Sequence, residues 1–314
     1  MINNKKIIIG SRKSNLAKAQ VSLVIAQLKK AGIEDVEIKY LESKGDKLKA
    51  SSFKKLGGKG LFTKDIDLLT SKGIIDIGVH SAKDITAFLD PKLDIGACLS
   101  RENPRDVLIT QKKNIKNIDN LPVNSLLGTS SPRRASYILN YRPDIKIIPI
   151  RGNIETRIKK VITGEIFSLI IAKASINRLK YQNASLDINT IPLYKFLPAP
   201  GQGIIALVYK KTNSHIKKII DLINCENTLL SLITDRSLIK KINGDCFTPI
   251  AAMAKIKNNK ISLKSKLFSN DGRLFSSFSI EGKISDAKEI GKISGKELLK
   301  SLKLKIKNEK DSSF

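Results

Sequence analysis

Hydrophobic positions recur along this chain first in strand-like runs and then at helical spacing. Lys6 to Gly10 is a short isoleucine run ending in Gly-Ser-Arg-Lys-Ser, which predicts a strand. Ser11 or Ser14 can cap the helix that follows, whose apolar positions Leu16, Ala19, Leu23 and Leu28 carry it to Gly32. Val36 to Leu41 predicts the next strand, whereas Glu42 to Gly60, rich in Lys, Gly and Ser, has little periodicity and reads as a loop. A helix over 63–71 and strands over 74–79 and 93–99 complete an alternating unit, which predicts a largely parallel sheet covered by helices.

A second unit of the same kind begins after Asn103-Pro104-Arg105, with strands over 107–110, 125–127, 145–150 and 169–172 and helices starting near Ser131, Asn153 and Ala174. Pro198-Ala199-Pro200-Gly201-Gln202-Gly203 is a rigid turn that suits a hinge back toward the first unit before the apolar run 204–209. From Asn224 the pattern changes to a helix reaching Ile242 and the turn Gly244-Asp245-Cys246. Strands near 251–256, 261–268 and 274–280 and a helix from Ser285 to Leu302 then predict a smaller α+β domain. The Lys-rich tail after Leu304 is expected to fray.

A chain of 314 residues with 41% hydrophobic and 27% charged residues can bury an ordinary core, which excludes disordered and disulfide-stapled classes. No stretch reaches the ~20 apolar residues of a membrane span, and the N-terminus predicts no secretory leader. His80 and His215 with Cys98, Cys225 and Cys246 are too few and too scattered for a nitrogen- or sulfur-ligated metal, so none is expected. An odd set of unclustered thiols reads as cytoplasmic and reduced, with Cys98 in the core. The net charge of +28 would suit a nucleic-acid binder, but the lysines are dispersed and only 5% of residues are aromatic, so no specific nucleic-acid partner is expected.

The arginines are the sharper signal, because ligands gather beyond the C-terminal ends of strands, where helix N-termini point outward. Arg12 follows the first strand, Arg133 and Arg134 fall in the first turn of a helix capped by Ser130 or Ser131, Arg151 ends a strand, and Arg157 and Arg178 lie beyond strand ends. Arginine in a first helical turn opposes the macrodipole, a local cost of a few tenths of a kcal/mol that a bound anion would offset. Surface ion pairing would explain any one of them; the repeated placement points to a polyanion site. Val79-His80-Ser81-Ala82-Lys83-Asp84 ends a buried strand, and a carboxylate there, beside Lys83 and facing arginines, would be ionised and able to shuttle protons or stabilise a cation. Leu56 to Phe62 lacks the spacing of a phosphate-binding Walker loop and reads as a lid carrying Lys59 and Phe62. Cys246 follows a glycine turn, an exposed place open to a nucleophile or to an unused thiol.

Seven segments resemble, in order, the porphobilinogen deaminase family: Gly-Ser-Arg-Lys-Ser (10–14), Gly-Gly-Lys-Gly-Leu-Phe (57–62), Val-His-Ser-Ala-Lys-Asp (79–84), Arg-Glu-Asn-Pro-Arg-Asp (101–106), Gly-Thr-Ser-Ser-Pro-Arg-Arg (128–134), Arg-Gly-Asn-Ile-Glu-Thr-Arg (151–157) and Pro-Ala-Pro-Gly-Gln-Gly (198–203). The resemblance implies an α/β fold with two periplasmic-binding-protein-like domains, 1–101 with 199–221 and 102–198, and a smaller C-terminal α+β domain, 222–314. It implies a transferase of porphyrin and haem biosynthesis: four porphobilinogen molecules lose ammonia and join head to tail into the linear tetrapyrrole hydroxymethylbilane. A dipyrromethane cofactor would be held by thioether to Cys246, Asp84 would be the catalytic carboxylate, and Lys83, Thr129, Ser130, Ser131, Arg133 and Arg134 would bind the cofactor. Arg12, Ser14, Arg151, Arg157 and Arg178 would bind the substrate's acetate and propionate groups. A cytoplasmic monomer handing its product to uroporphyrinogen-III synthase is the implied setting.

Four places depart from the family pattern. Asp245 stands where a second glycine usually precedes the cysteine, and is expected to slow cofactor attachment by repelling carboxylates. Thr234-Asp235-Arg236-Ser237 replaces Glu-Arg-Ala, Ser175 replaces a glycine and Val208 a glutamate. The alternative reading is a cytoplasmic two-lobed protein that binds an anionic solute without catalysis; it has no use for Cys246.

Overall fold

β-Branched runs flanked by capping residues fold as the pattern requires, over the described residues 6–42 and 63–311 of a computed structural model. In chain order the first part holds β1 (Ile7–Arg12), α1 (Asn15–Lys30), β2 (Val36–Leu41), α2 (Lys64–Ser71), β3 (Ile77–Ser81) and β4 (Leu93–Cys98). Next come β5 (Asp106–Thr110), β6 (Leu126–Gly128), α3 (Pro132–Tyr141), β7 (Lys146–Ile148), α4 (Ile154–Ile162), β8 (Ser168–Ala172), α5 (Lys173–Leu179) and β9 (Asp187–Thr190). The remainder holds β10 (Ile205–Lys210), α6 (Ser214–Asp221), α7 (Glu226–Lys241), β11 (Ile250–Lys257), β12 (Lys260–Phe268), β13 (Phe275–Lys283) and α8 (Ala287–Asp311). The chain divides into two units, Met1–Glu102 with Gly203–Leu229, and Asn103–Gln202 with Leu230–Phe314.

The first unit contains a five-stranded sheet in the order β2-β1-β3-β10-β4, with β10 antiparallel to both neighbours. The second contains β7-β6-β8-β5-β9, with β5 antiparallel to both neighbours. The two sheets therefore share one topology. In each, the strand of opposite direction is the one by which the chain enters after leaving the other unit, so it starts where the parallel strands end: Ile205 pairs Ser81, and Asp106 pairs Ala172. A further antiparallel sheet, β11-β12-β13, is covered by α8. The fold is α/β, two five-stranded mixed sheets of one topology with a smaller C-terminal α+β part.

In the first unit Ile7, Ile9, Val21, Val24, Leu28, Ile77 and Leu207 form one core. The second unit has a core on each side of its sheet, one of which takes in Ala251 and Phe268 from the C-terminal sheet, and a third between that sheet and α8. Phe268 meets Tyr137 edge-on at 4.8 Å between ring centres, and Tyr137 stacks on Phe196 at 4.5 Å.

Several expectations shift. The α1 helix is capped as expected, Ser14 accepting from Ala17 N at 3.3 Å, but its buried stripe is Ala17, Gln20, Val21, Val24 and Leu28, while Leu23 is 44% exposed. The apolar residues at 74–75 do not start β3: both amides donate to Leu69 O in the turn closing α2, and Ile75 packs where a Cβ on Gly10 would lie 2.4 Å from its Cδ1. The strand β9 and the helix α6 went unforeseen, and α8 runs to Asp311 instead of fraying after Leu304. The loop expected over 42–60 and its lid residues Lys59 and Phe62 lie outside the described residues, apart from Glu42.

Candidate functional site

In the first unit the polar residues sit where β1 and β3 end. Arg12 is the last residue of β1 and Ser14 caps α1, while β3 runs into a 3-10 turn, Ala82–Asp84, fixed by Ala82 N donating to Ile204 O at 3.0 Å. Ser11, Arg12, Ser14, Gln20, His80, Ser81 and Asp84 line one small open pocket. Asp84 is half-buried, and its carboxylate makes no hydrogen bond or ion pair with any described residue. Lys83, beside it, is also half-buried. Gln20 Nε2 donates to Ser81 Oγ at 2.8 Å, stiffening the wall. Buried His80 places Nε2 3.1 Å from Asp67 Oδ1, out of line for a hydrogen bond. Gln20 was not singled out from the sequence; its signal was a polar side chain on the buried stripe of a helix.

The second unit answers the arginine pattern differently. Ser131 caps α3 by accepting from Arg134 N at 3.5 Å, Pro132 opens the helix, and Arg133 and Arg134 fall in its first turn, only 3% and 7% exposed. Both reach Asp106, the first residue of β5. Arg133 Nη2 donates to Asp106 Oδ2 at 2.7 Å, and Arg134 donates to Oδ1 through Nε at 3.1 Å and Nη2 at 2.8 Å. Of the other donors, Arg133 Nη1 reaches Leu197 O at 2.7 Å and Arg134 Nη1 reaches Ile170 O at 3.2 Å, while Arg133 Nε is buried without an acceptor among the described residues. Leu197 N in turn donates to Tyr137 Oη at 3.2 Å. Burial by itself would raise the Asp106 carboxyl, but the two guanidiniums overcome it and hold it far below the usual carboxylate range. Burial pushes the Tyr137 phenol up to about 12. Two guanidiniums against one carboxylate leave this group at one net positive charge, with the α3 N-terminus adding to it.

The neighbouring hydroxyls are engaged locally: Thr129 Oγ1 accepts from Ser131 N at 3.2 Å, and Ser130 Oγ donates to Ile150 O. Arg151, Arg157 and Arg178 are each half-buried. Arg157 Nε donates to Gly152 O at 2.8 Å, and Gly152, at φ +99°, opens the turn into α4, which Asn153 caps by accepting from Thr156 N at 2.8 Å. Cys246 is exposed, whereas Cys98 is buried and Cys225 half-buried. Asp245 organises the turn around it: Oδ1 accepts from Phe247 N at 2.9 Å, Thr248 N at 3.1 Å and Thr248 Oγ1 at 3.1 Å, and Asp245 N donates to Thr248 Oγ1 at 3.0 Å. Asp106 escaped the sequence reading although it closes the motif Arg-Glu-Asn-Pro-Arg-Asp; an acid opening the apolar run 107–109 was the available sign. Among the described residues no group of three or more His, Cys, Asp or Glu side chains could hold a metal ion, and no helix is long and apolar enough to cross a membrane.

Residues 7–218 match the family model of the porphobilinogen deaminase dipyrromethane cofactor-binding domain, and residues 229–300 match that of its C-terminal domain. The chain is 38% identical to the porphobilinogen deaminase of Clostridium novyi, over 91% of this chain and 96% of that one. It is 39% identical to the porphobilinogen deaminase of Limosilactobacillus reuteri, over 85% and 87%. Among solved structures it is similar to a periplasmic domain of Bordetella pertussis BvgS, with a TM-score of 0.44, 13% identity and coverage of 74% of this chain and 92% of that one. Two family models that together span most of the chain, and relatives of this identity over nearly its full length, lead to one conclusion: the chain belongs to the porphobilinogen deaminase family.

Proposed function

We propose that this protein condenses four porphobilinogen molecules head to tail, with loss of ammonia at each step, and releases hydroxymethylbilane by hydrolysis. The observation that carries this reading is the family match together with Asp84, which lines a pocket and makes no hydrogen bond or ion pair with any described residue, and the exposed Cys246. The residues present fit a dipyrromethane: an exposed thiol is available for a thioether, and a buried group with net positive charge suits the acetate and propionate carboxylates. Cys246 would anchor it, and Arg133, Arg134, Lys83, Thr129, Ser130 and Ser131 would hold it. When bound, it supplies a pyrrole with a free α-carbon to which the first substrate unit is joined.

Asp84 then has two tasks. Its carboxylate accepts the hydrogen bond of a pyrrole N–H and stabilises the methylene-pyrrole cation left when porphobilinogen loses ammonia, and it relays the proton released from the α-carbon after the new bond forms. Arg12 and Ser14 border the same pocket and bind the incoming unit's carboxylates. Arg151, Arg157 and Arg178 bind the carboxylates that accumulate, two per added unit. The three-part division 1–101 with 199–221, 102–198 and 222–314 is part of this reading, supported by the separate β11-β12-β13 sheet and its core. So are a cytoplasmic monomer, product hand-off to uroporphyrinogen-III synthase, and the absence of a specific nucleic-acid partner, supported by the dispersed lysines.

The test is the intact mass of the purified protein before and after Cys246→Ser, with hydroxymethylbilane formation assayed in parallel. The unaltered chain should carry the mass of a covalent dipyrrole and the Ser variant should lack it and make no product, since a serine hydroxyl is a poor substitute for a thiolate. A Ser variant that still carries the mass would remove Cys246 from this role, and an unaltered chain with neither added mass nor product would return the protein to the solute-binding alternative.

A further inference from the structure

Gln202 lies at the centre of the buried charge in the second unit, yet the reaction gives it no task. It is 1% exposed, and its Nε2 donates to Asp106 Oδ1 at 3.0 Å and to Pro104 O at 2.6 Å. The turn that delivers it is pinned from both sides. Gly201, at φ +71°, donates its amide to Asp235 Oδ2 at 2.9 Å, and Asp235, fully buried in α7, accepts from Ala254 N of β11 through Oδ1 at 3.0 Å. Pro198 O accepts from Ala252 N at 3.0 Å, and Gln202 N donates to Ala199 O at 2.9 Å. A side chain held this firmly against a carboxylate can fix the plane of that carboxylate.

The distribution of donors explains why this matters. Asp106 Oδ1 takes Arg134 Nε and Nη2 as well as Gln202, while Oδ2 takes Arg133 Nη2. The extra donor on Oδ1 is neutral. A lysine or arginine at position 202 would add charge, and an acid would cancel the net positive charge of the Arg133–Asp106–Arg134 group. We propose that Gln202 is a positioning residue: it orients Asp106, and through Asp106 the guanidiniums of Arg133 and Arg134, and its neutrality preserves the positive charge that the pyrrole carboxylates need. This inference rests on the reading that those arginines bind pyrrole carboxylates.

The experiment compares Gln202→Glu and Gln202→Leu with the unaltered holoenzyme. KM and kcat for porphobilinogen, the ladder of covalent intermediates in native mass spectra, and the melting midpoint are measured from pH 5 to 8. Gln202→Glu keeps the shape and removes the positive excess, so KM should rise about tenfold or elongation should stall at a defined unit at pH 8. The effect should ease toward pH 5, because a carboxyl buried against Asp106, with Arg133 and Arg134 facing it, regains a neutral donor on protonation. Gln202→Leu removes the donor but not the charge, and should show a smaller rise in KM with no recovery at low pH. A Glu variant with unaltered KM and ladder overturns the proposal, as do equal losses in both variants without pH recovery, which would mark Gln202 as mere packing. Should the Glu variant fail to fold, an unaltered KM and ladder in the Leu variant overturns it instead. Failure of the underlying reading shows separately, as an unaltered holoenzyme without covalent intermediates.

Discussion

Two carboxylates at matching ends of two matching sheets are used in opposite ways. In the first unit Asp84 follows the end of β3 beside the start of β10; in the second Asp106 is itself the start of β5, beside the end of β8. Asp84 is half-buried in an open pocket and makes no hydrogen bond with any described residue, whereas Asp106 is 1% exposed and accepts from Arg133, Arg134 and Gln202. The shared topology fixes where polar groups gather, at the C-terminal ends of the parallel strands. What each group does is decided by whether the chain supplies its partner. An acid left without a partner can act on a ligand; an acid saturated by internal donors becomes scaffold for the cations around it.

The largest test of this contrast is Asp106→Asn. Removing one partner from a buried ion group leaves the others uncompensated, so the variant should lose about 3–5 kcal/mol of stability, read from denaturant unfolding. The loss should depend on pH in a defined direction. Because the folded-state carboxyl is held below its ordinary value, its stabilising effect is complete above the unfolded value of about 3.9 and declines as pH falls through the folded one. The gap between the parent and Asp106→Asn should therefore be constant from pH 8 to about 5 and narrow below about 4. A gap that is small at neutral pH would mean Asp106 is not the scaffold its geometry makes it.

Asp84 should give the reverse pattern. With no partner to lose among the described residues, Asp84→Asn should stay within about 0.5 kcal/mol of the parent in stability. Turnover in the cofactor-loaded enzyme should nevertheless fall on the order of 10²-fold or more, as when a positioned acid–base group is removed. Asp84→Glu keeps the charge, displaced by one methylene, and should retain measurable activity. Near-parental turnover by the Asn variant would show that the negative charge is not used, and the contrast with Asp106 would collapse.

How far this contrast could be read beforehand follows from which interactions are local. The Val36–Leu41 strand and the Ser14 cap rest on neighbours in sequence, and both were legible. The β9 strand was not: Asp187-Ile188-Asn189-Thr190 has one apolar residue, and its strand character comes from pairing with β5, some 80 positions away in the chain. The start of β3 was misplaced because Ile75 is core without being strand, its burial owed to the space over Gly10. The face of α1 differs from the expected one except at Leu28, because alternative stripes of Leu and Val have similar spacing and only the partner sheet selects Val21 and Val24. At the site, the seven motifs contain Asp84, Arg12, Arg133, Arg134, Arg151 and Arg157, whereas Cys246 and Arg178 fall outside them. That Arg133 and Arg134 share an internal acid depends on a contact spanning 27 and 28 positions, which periodicity does not encode.

The smallest predicted effect concerns Asp245, which falls between the two extremes. Its carboxylate is half-buried beside exposed Cys246, and one oxygen, Oδ1, takes the turn's three hydrogen bonds from Phe247 and Thr248. It is scaffold for the turn and a negative charge next to the thiol at the same time. Asn at 245 can present the same acceptor oxygen, so the turn should persist and stability should change little, while the charge disappears. If that charge repels the carboxylates of an arriving pyrrole, cofactor attachment to the apo-form of Asp245→Asn, followed by intact mass against time, should be about 1.4- to fivefold faster, the size expected of one partly exposed charge pair at about 0.2–1 kcal/mol. Gly at 245, the residue more usual in the family, also removes the charge but loses the three hydrogen bonds; it should match Asn in attachment rate only if the turn holds its shape without them. Slower attachment in the Gly variant, with faster attachment in the Asn variant, would separate the two roles of one carboxylate. An attachment rate unchanged in the Asn variant would assign Asp245 wholly to scaffold, on the side of Asp106.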